Sequence, residues 1–87
     1  MKFVAIKVFR DDWFSIEQET QSGKFYITIP VDNGMVEYSE YYEINEDELD
    51  NFLNNLDSVK KFVKDCRDHL NDDRLLIKPG KIRGKPL

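Results

Sequence analysis

The chain has 87 residues, of which 40% are apolar and 13% aromatic, so it has room for one domain and enough apolar side chains for a packed core. No stretch approaches the roughly 18 consecutive apolar residues of a membrane span, and the first residues lack the pattern of a signal peptide. The single cysteine, Cys66, cannot form an intramolecular disulfide. We therefore expect a cytoplasmic protein that does not associate with membranes.

The formal net charge of −4 is unevenly distributed along the chain. Residues 32–73 contain 13 acidic and 4 basic side chains, a net charge of −9, whereas the other residues contain 4 acidic and 9 basic side chains, a net charge of +5. Such an acidic block favours basic partners. It disfavours nucleic acid, because nucleic-acid binding depends on Lys and Arg side chains that neutralise phosphates.

The first part of the chain has the composition and periodicity of β-strands. Residues 3–9 form the first predicted strand, and a second strand begins at Trp13 and runs to Glu19. Apolar residues alternate over residues 25–31, which predicts a third strand with odd-numbered positions on a core face and even-numbered positions on a wetter face. Pro30 has no amide hydrogen, so it indicates an edge position or the end of strand pairing.

The dipeptide Asn33-Gly34 is the strongest local signal in the chain. It is typical of a two-residue type I′ turn, in which both central residues have positive φ, and it predicts a β-hairpin. The returning strand spans residues 35–44. Glu40 falls on the apolar side of this strand, which predicts a β-bulge or a strand end at that position.

Two amphipathic helices follow the strands. Asn45 is the predicted N-cap of the first helix, and Asp57 or Ser58 is the predicted N-cap of the second. The helical spacing of apolar residues defines one stripe on each helix. The stripes are Leu49, Phe52, Leu53 and Leu56 in the first helix, and Val59, Phe62, Val63, Cys66 and Leu70 in the second.

Residues 75–77 are too few for a helix and fit a final strand that Pro79-Gly80 terminates. The predicted fold is therefore α+β, an antiparallel sheet of four to five strands with two helices packed on one face, in the order β-β-β-β-α-α-β. Residues 1–78 form the predicted single domain. Residues 79–87 form a basic tail with little to bury, which we expect to be extended or mobile.

The chain is poor in material for catalysis or metal binding. Its one histidine, His69, lies three residues after Cys66, so the two could be neighbours on the second helix, but Cys66 falls in the apolar stripe and fits a structural role better. One Cys and one His fall short of a zinc set. The residues from Gly80 to Lys85 match a phosphate loop only incompletely. We expect no enzymatic activity, no catalytic residue, no metal and no cofactor.

Exposed tyrosine and carboxylate side chains are the candidates for a partner-binding surface. On the fourth strand, Tyr41 shares a face with Glu37 and Glu43, and tyrosine beside carboxylates suits contacts with Lys or Arg of a partner. The alternative is that these carboxylates only keep the sheet and helices soluble. The candidate partner-binding residues are Glu37, Tyr41, Glu43, Glu46, Asp47, Asp50, Asp65, Asp68 and Asp72.

Residues 24–38, the strand over residues 40–44 and the closing segment over residues 72–86 together resemble small bacterial immunity proteins. Such proteins are encoded beside polymorphic toxins, including those of contact-dependent growth inhibition. The resemblance implies an inhibitor that binds a cognate toxin domain in the producing cell, and we expect the chain itself to be a monomer or weak dimer. The resemblance also indicates a basic, nuclease-type toxin, which an acidic inhibitor would complement. It transfers no residue roles, so the candidate residues rest on the sequence pattern alone.

Two other functions are compatible with the sequence. An acidic protein of this size could mimic nucleic acid and occupy DNA-binding proteins, or serve as a regulatory subunit that acts on them. Alternatively, the basic residues between Lys78 and Lys85 could contact nucleic acid, although the acidic block argues against it.

Overall fold

The computed structural model describes residues 1–79 and 83–87. The strands are β1 (Phe3–Phe9), β2 (Phe14–Glu19), β3 (Phe25–Asp32), β4 (Glu37–Ile44) and β5 (Lys85–Pro86), and the helices are α1 (Glu46–Asn54) and α2 (Leu56–Arg67). The five strands form one antiparallel sheet in the order β1-β2-β3-β4, with β5 paired to β3. This confirms the predicted α+β architecture of an antiparallel sheet with two helices.

Pairing along β3 explains the position of Pro30. The β2–β3 ladder ends where Ser15 pairs with Thr28, two residues before Pro30, as predicted for a residue that cannot donate to the ladder. Beyond that point β5 takes over the same edge of β3. The amide of Leu87 donates to the Pro30 carbonyl at 3.2 Å, and Val31 pairs with Pro86.

The β3–β4 hairpin is confirmed, but the predicted turn type is wrong. Strand β3 ends at Asp32 and β4 begins at Glu37, so four residues form the turn, and among them Gly34 alone has a positive φ, of 89°. Asn33 Oδ1 accepts a hydrogen bond from the Val36 amide at 2.9 Å. Asn33 Oδ1 also accepts from the Met35 amide at 3.0 Å, and Asp32 Oδ1 accepts from the Gly34 amide at 2.7 Å. Because these side chains satisfy the amides of a four-residue turn, the backbone does not need the two positive φ angles of a type I′ turn.

Helix α1 begins as predicted, with Asn45 and Glu48 forming a capping box. Helix α2 begins two or three residues earlier than predicted, because Asn55 is its N-cap and accepts a hydrogen bond from the Ser58 amide at 3.1 Å. Leu56 is therefore the first residue of α2 and is exposed, instead of completing the α1 stripe.

The end of α2 also differs from the prediction. The helix ends at Arg67, and His69 has a φ of 63°, a left-handed conformation that stops the helix. Leu70 is consequently exposed and does not belong to the α2 stripe. The other predicted positions hold, since Val59, Val63 and Cys66 are buried against the sheet.

The hydrophobic core lies between the helices and one face of the sheet. It is made of Phe14, Ile16, Ile27, Ile29, Tyr42, Ile44, Phe52, Val59, Val63, Cys66 and Leu75. In the described part of the chain, no helix combines the length and the apolar character needed to cross a membrane.

The face of the sheet away from the helices is less exposed to solvent than predicted, because Tyr26 is 2% and Thr28 6% exposed. The Phe3 and Tyr41 rings stack there with centroids 4.2 Å apart, although β2 and β3 lie between their strands. In a flat sheet β1 and β4 would be about 14 Å apart at roughly 4.8 Å per strand. The sheet therefore curves toward this face, and its two end strands approach each other over it.

The C-terminal segment differs from the prediction in the position of its strand and in the burial of its last residues. Residues 75–77 do not form the final strand, because they contribute only an isolated bridge from Leu75 to Tyr42 and a hydrogen bond from the Leu76 amide to the Tyr41 carbonyl. The fifth strand lies instead in the predicted tail, so the expectation of little to bury is wrong for residues 83–87. Gly84 is buried there, and a Cβ on it would lie 2.8 Å from the Asp32 backbone. Residues 80–82 of the predicted tail, including Gly80 of the incomplete phosphate-loop pattern, lie outside the described residues.

Candidate functional site

The longest stretch of the chain without Lys or Arg, residues 25–59, includes β4, the corner after it and α1. We call residues 37–54 the β4–α1 acidic segment. It contains seven carboxylates and no Lys or Arg. The carboxylates are Glu37, Glu40, Glu43, Glu46, Asp47, Glu48 and Asp50.

Three of these carboxylates have basic partners. Glu40 lies 3.0 Å from Arg83 Nε, Glu48 lies 2.9 Å from Arg74, and Glu43 lies 3.5 Å from Lys24. The Glu43–Lys24 pair joins two side chains that are about half exposed, so it contributes little to stability. Burial tends to raise the pKa of Glu48, but its hydrogen bonds with Arg74 and the Asn45 amide outweigh burial and lower it.

The other four carboxylates, Glu37, Glu46, Asp47 and Asp50, are exposed. Among the residues that the structure describes, none of these four forms an ion pair. Three of them lie on α1, which has no basic residue. This helix therefore presents uncompensated negative charge to solvent.

The predicted candidates near α2 have a different environment. Asp65 pairs with Lys61 at 2.9 Å, and Asp68 pairs with Lys64 at 2.6 Å, both at the i, i+4 spacing. The hydrogen bond from Lys64 lowers the pKa of Asp68. Four basic and two acidic residues lie within α2, so this helix has a net charge of +2. Asp65 and Asp68 thus belong to a neutralised surface and do not extend the acidic segment.

Asp72 belongs to a network around Arg83 that fastens the C-terminal segment to the sheet. Arg83 donates to Asp72 at 2.7 Å and to Glu40 at 3.0 Å, and the Tyr42 hydroxyl donates to Glu40 at 2.9 Å. The hydrogen bonds from Arg83 lower the pKa of Asp72, and burial raises the pKa of Tyr42. The Gly84 amide donates to the Tyr38 hydroxyl at 2.9 Å. Asp72 therefore has a structural role in this network.

The network corrects the interpretation of Glu40. No bulge or strand end occurs at this residue, because Glu40 pairs in regular register with Ile29. It lies on the core-facing side of β4 with its side chain 6% exposed, and Arg83, 16% exposed, compensates its charge. The irregularity in the sequence pattern marked a buried ion pair.

The candidate residues lie on two faces of the molecule. Glu37, Tyr41 and Glu43 alternate with the core residues Tyr42 and Ile44, so their side chains are on the sheet face away from the helices. Glu46, Asp47 and Asp50 lie on α1, in the helical layer on the other side of the sheet. Glu43 and Glu46 lie on either side of the corner between β4 and α1, whereas Glu37 begins β4 and lies about 20 Å along the strand from Glu43.

Tyr41 is less available than the sequence suggested. Its ring is partly buried, stacked on Phe3 and edge-on to Tyr26 at 6.3 Å, and desolvation raises the pKa of its hydroxyl. Tyr41 therefore supports the curved face of the sheet. Glu37 and Glu43, which share the face of β4 with Tyr41, remain exposed.

Cys66 and His69 do not form the pair considered from their spacing. Burial raises the pKa of the Cys66 thiol to about 12, and its Sγ atom lies 3.5 Å from Asn71 Nδ2. His69 is exposed and lies beyond the end of α2. Within residues 1–79 and 83–87, no three His, Cys, Asp or Glu side chains are grouped as a metal site would require.

Comparisons with protein-family models, with curated protein sequences and with solved structures give no match to this chain.

Proposed function

We propose that the protein is a bacterial immunity protein that binds a cognate, basic toxin domain in the cytoplasm of the producing cell. It neutralises the toxin through the exposed carboxylates of the β4–α1 acidic segment. The observation that carries the proposal is that four of the seven carboxylates in this segment are exposed without an ion pair in the described chain. Solubility alone is met by mixed charges, whereas a field of one sign accelerates encounter with a basic partner.

The size of the molecule is compatible with a tight complex. The described surface covers 5696 Å², and a standard interface takes about 800 Å² from each partner, or roughly a seventh of that area. The corner at Asn45 connects the two exposed carboxylate groups, so one partner surface can contact Glu43 on β4 and Glu46 on α1. Lys or Arg side chains of the partner would pair with the four free carboxylates.

The proposal is tested by mixing the purified protein with the product of the adjacent upstream gene and measuring the affinity at low and high salt. We expect one tight complex that inhibits the toxin's activity. Changing Asp47→Lys or Glu37→Lys should weaken it about tenfold or more, since each change replaces attraction by repulsion at the contact. The matched control is Asp11→Lys, which reverses an exposed charge after β1, outside the acidic segment, and should leave the affinity unchanged.

Two outcomes would contradict the proposal. The absence of a complex with the neighbouring gene product would exclude a cognate toxin encoded there. Equal binding to several unrelated DNA-binding proteins, lost together at high salt, would favour a mimic of nucleic acid instead.

A further inference from the structure

The outer edge of β1 is the most apolar exposed part of the sheet. Val4, Ile6 and Val8 are 48%, 40% and 54% exposed, and β1 contains one charged residue, Lys7, and no proline. Strand β1 pairs with β2 on one side, and within the described chain no strand pairs with its other side. Exposed apolar edge strands are templates for the addition of another strand.

The opposite end of the sheet is partly covered. On β4, Tyr42 forms a bridge with Leu75, and the Leu76 amide donates to the Tyr41 carbonyl at 2.9 Å. The segment around Leu75 thus occupies part of that edge. The outer edge of β1 has no such cover in the described residues.

The backbone hydrogen bonds identify which groups of β1 are free. The Lys2 carbonyl accepts from the Thr20 amide at 2.9 Å, so Lys2 is directed toward β2. Successive residues of a strand direct their backbone N–H and C=O groups to opposite edges. The backbone groups of Val4 therefore point toward β2, whereas those of Phe3 and Ala5 point away from β2, to the free edge. Two donors and two acceptors are therefore available to an incoming strand before the bulge.

The bulge in β1 aligns positive charge along this edge. The pairing register shifts between Ala5 and Lys7, and Lys7 pairs with Ile16, whose side chain lies in the core. The Phe3 side chain contacts Tyr26 on the sheet face away from the helices. Lys2, which precedes Phe3, therefore lies on the core-facing side of the sheet, as Lys7 does. Without the extra residue, Lys2 and Lys7 would be on opposite faces, since they are five positions apart.

The charge of this edge decides which kind of strand fits it. Residues 1–10 contain Lys2, Lys7 and Arg10 and no carboxylate. Pairing β1 with β1 of a second copy would bring two such positive edges together, and like charges across a strand pair are destabilising. A strand with acidic side chains on one face would instead place them beside Lys2 and Lys7.

Trp13 extends the apolar surface at the end of this edge. Its side chain is 56% exposed, its φ is 57°, and Arg67 donates hydrogen bonds to the carbonyls of Asp12 and Trp13. Left-handed backbone costs a bulky residue free energy and persists only where the surroundings impose it. Val8 and Phe9 form a shallow apolar concavity with Trp13, large enough for an apolar side chain of a bound strand.

We propose that the outer edge of β1 binds an extended strand of a partner protein in which acidic residues alternate with apolar ones. The backbone of Phe3 and Ala5 pairs with this strand, Lys2 and Lys7 recognise its carboxylates, and the concavity beside Trp13 receives an apolar side chain. This surface lies at the opposite end of the strand order from the β4–α1 acidic segment, which it touches, among the described residues, only through the stacked rings of Phe3 and Tyr41, and it takes a partner of opposite charge.

The test uses two end-blocked ten-residue peptides, one alternating valine with glutamate and the other alternating valine with lysine. Amide hydrogen exchange of the full chain is followed by NMR as each peptide is added. We expect the glutamate peptide to slow exchange at Phe3 and Ala5 about tenfold or more, and the lysine peptide to have no such effect.

Two variants separate the backbone contribution from the charge contribution. Ala5→Pro removes a backbone N–H that points to the free edge, and proline is tolerated at such a position of an edge strand. This variant should not bind the glutamate peptide. The control Ala5→Val keeps the N–H and should bind the peptide normally. If Ala5→Pro fails to fold, Lys7→Glu gives an independent answer and should weaken binding about tenfold.

Binding of both peptides with equal affinity, or no protection at Phe3 and Ala5 with either peptide, would overturn the proposal. A dimer in sedimentation that Ala5→Pro dissociates would also overturn it, because the edge would then be occupied by a second copy. Each of these outcomes is independent of whether the β4–α1 acidic segment binds a toxin.

Discussion

At the scale of single residues, Glu19 illustrates how a carboxylate is stabilised without a cation. It is buried at the end of β2, where its oxygens accept hydrogen bonds from the amides of Gln21 at 2.8 Å and Ser22 at 2.9 Å. These backbone hydrogen bonds hold the pKa of Glu19 at about 2. The same turn is closed by Gly23, which has a φ of 75° and donates its amide to the Glu19 carbonyl.

This arrangement predicts a specific dependence of stability on pH. A carboxyl whose pKa is lowered by folding contributes stability that is complete above its ordinary pKa of about 4.5 and is lost as the pH falls to about 2. Glu19→Gln cannot ionise, so its free energy of unfolding should fall less over this range than that of the unaltered protein. Urea unfolding between pH 2 and 6 measures the difference, and parallel curves for the two proteins would contradict the role assigned to Glu19.

Glu40 shows what a sequence can and cannot predict about one residue. Its position among core-facing side chains of β4 was visible as an irregularity in the alternation. Its partner Arg83 lies 43 positions away in a segment without periodicity, so no local pattern connects them. The sequence therefore indicated an exceptional residue but not the ion pair that explains it.

At the scale of elements, local chemistry determined which predictions succeeded. The start of α1 was predictable because Asn45 and Glu48 satisfy each other's backbone amides over three residues. The start of α2 was not, because several successive residues are competent caps and the choice depends on packing against the sheet. Strand β5 has two residues, too few for any periodicity, and the contacts that hold it are made by Arg83, by the Gly84 amide and by the Leu87 amide, all with residues far away in the sequence.

The capping box gives a second prediction. Asn45→Ala should lower the free energy of unfolding by about 1 kcal/mol, because the Glu48 amide loses its side-chain acceptor at the start of α1. The matched control is Asn51→Ala, which makes the same chemical change at an exposed position inside α1 and should be neutral or slightly stabilising. Chemical denaturation of both variants measures the two effects, and equal losses would show that the cap contributes nothing specific.

At the scale of the whole molecule, opposite charges are separated across the sheet. The β1 edge carries Lys2, Lys7 and Arg10, and α2, with its net charge of +2, reaches the same end through the contacts of Arg67 with Asp12 and Trp13. The β4–α1 acidic segment lies at the other end. The sequence composition revealed the acidic block, but it assigned α2 to that block together with α1. A count of charges along the chain does not show which Lys and Asp side chains form ion pairs on the folded surface.

The role of the C-terminal segment is tested by ending the chain at residue 78, the predicted domain boundary. This deletion removes Arg83 and leaves Glu40 with its carboxylate buried beside Tyr42 and without its cation. Breaking a buried ion pair from one side costs about 3 kcal/mol or more, so the shortened chain should unfold at a lower urea concentration than the full chain.

Glu40→Met in the shortened chain should restore part of this loss of stability, because an apolar side chain has no charge to compensate. The same substitution in the full chain should be destabilising, since it leaves Arg83 without one of its two carboxylates. If Glu40→Met raises the free energy of unfolding of the shortened chain and lowers that of the full chain, residues 83–87 belong to the folded unit. Equal stability of the full and the shortened chain, both without the substitution, would place the domain boundary at residue 78.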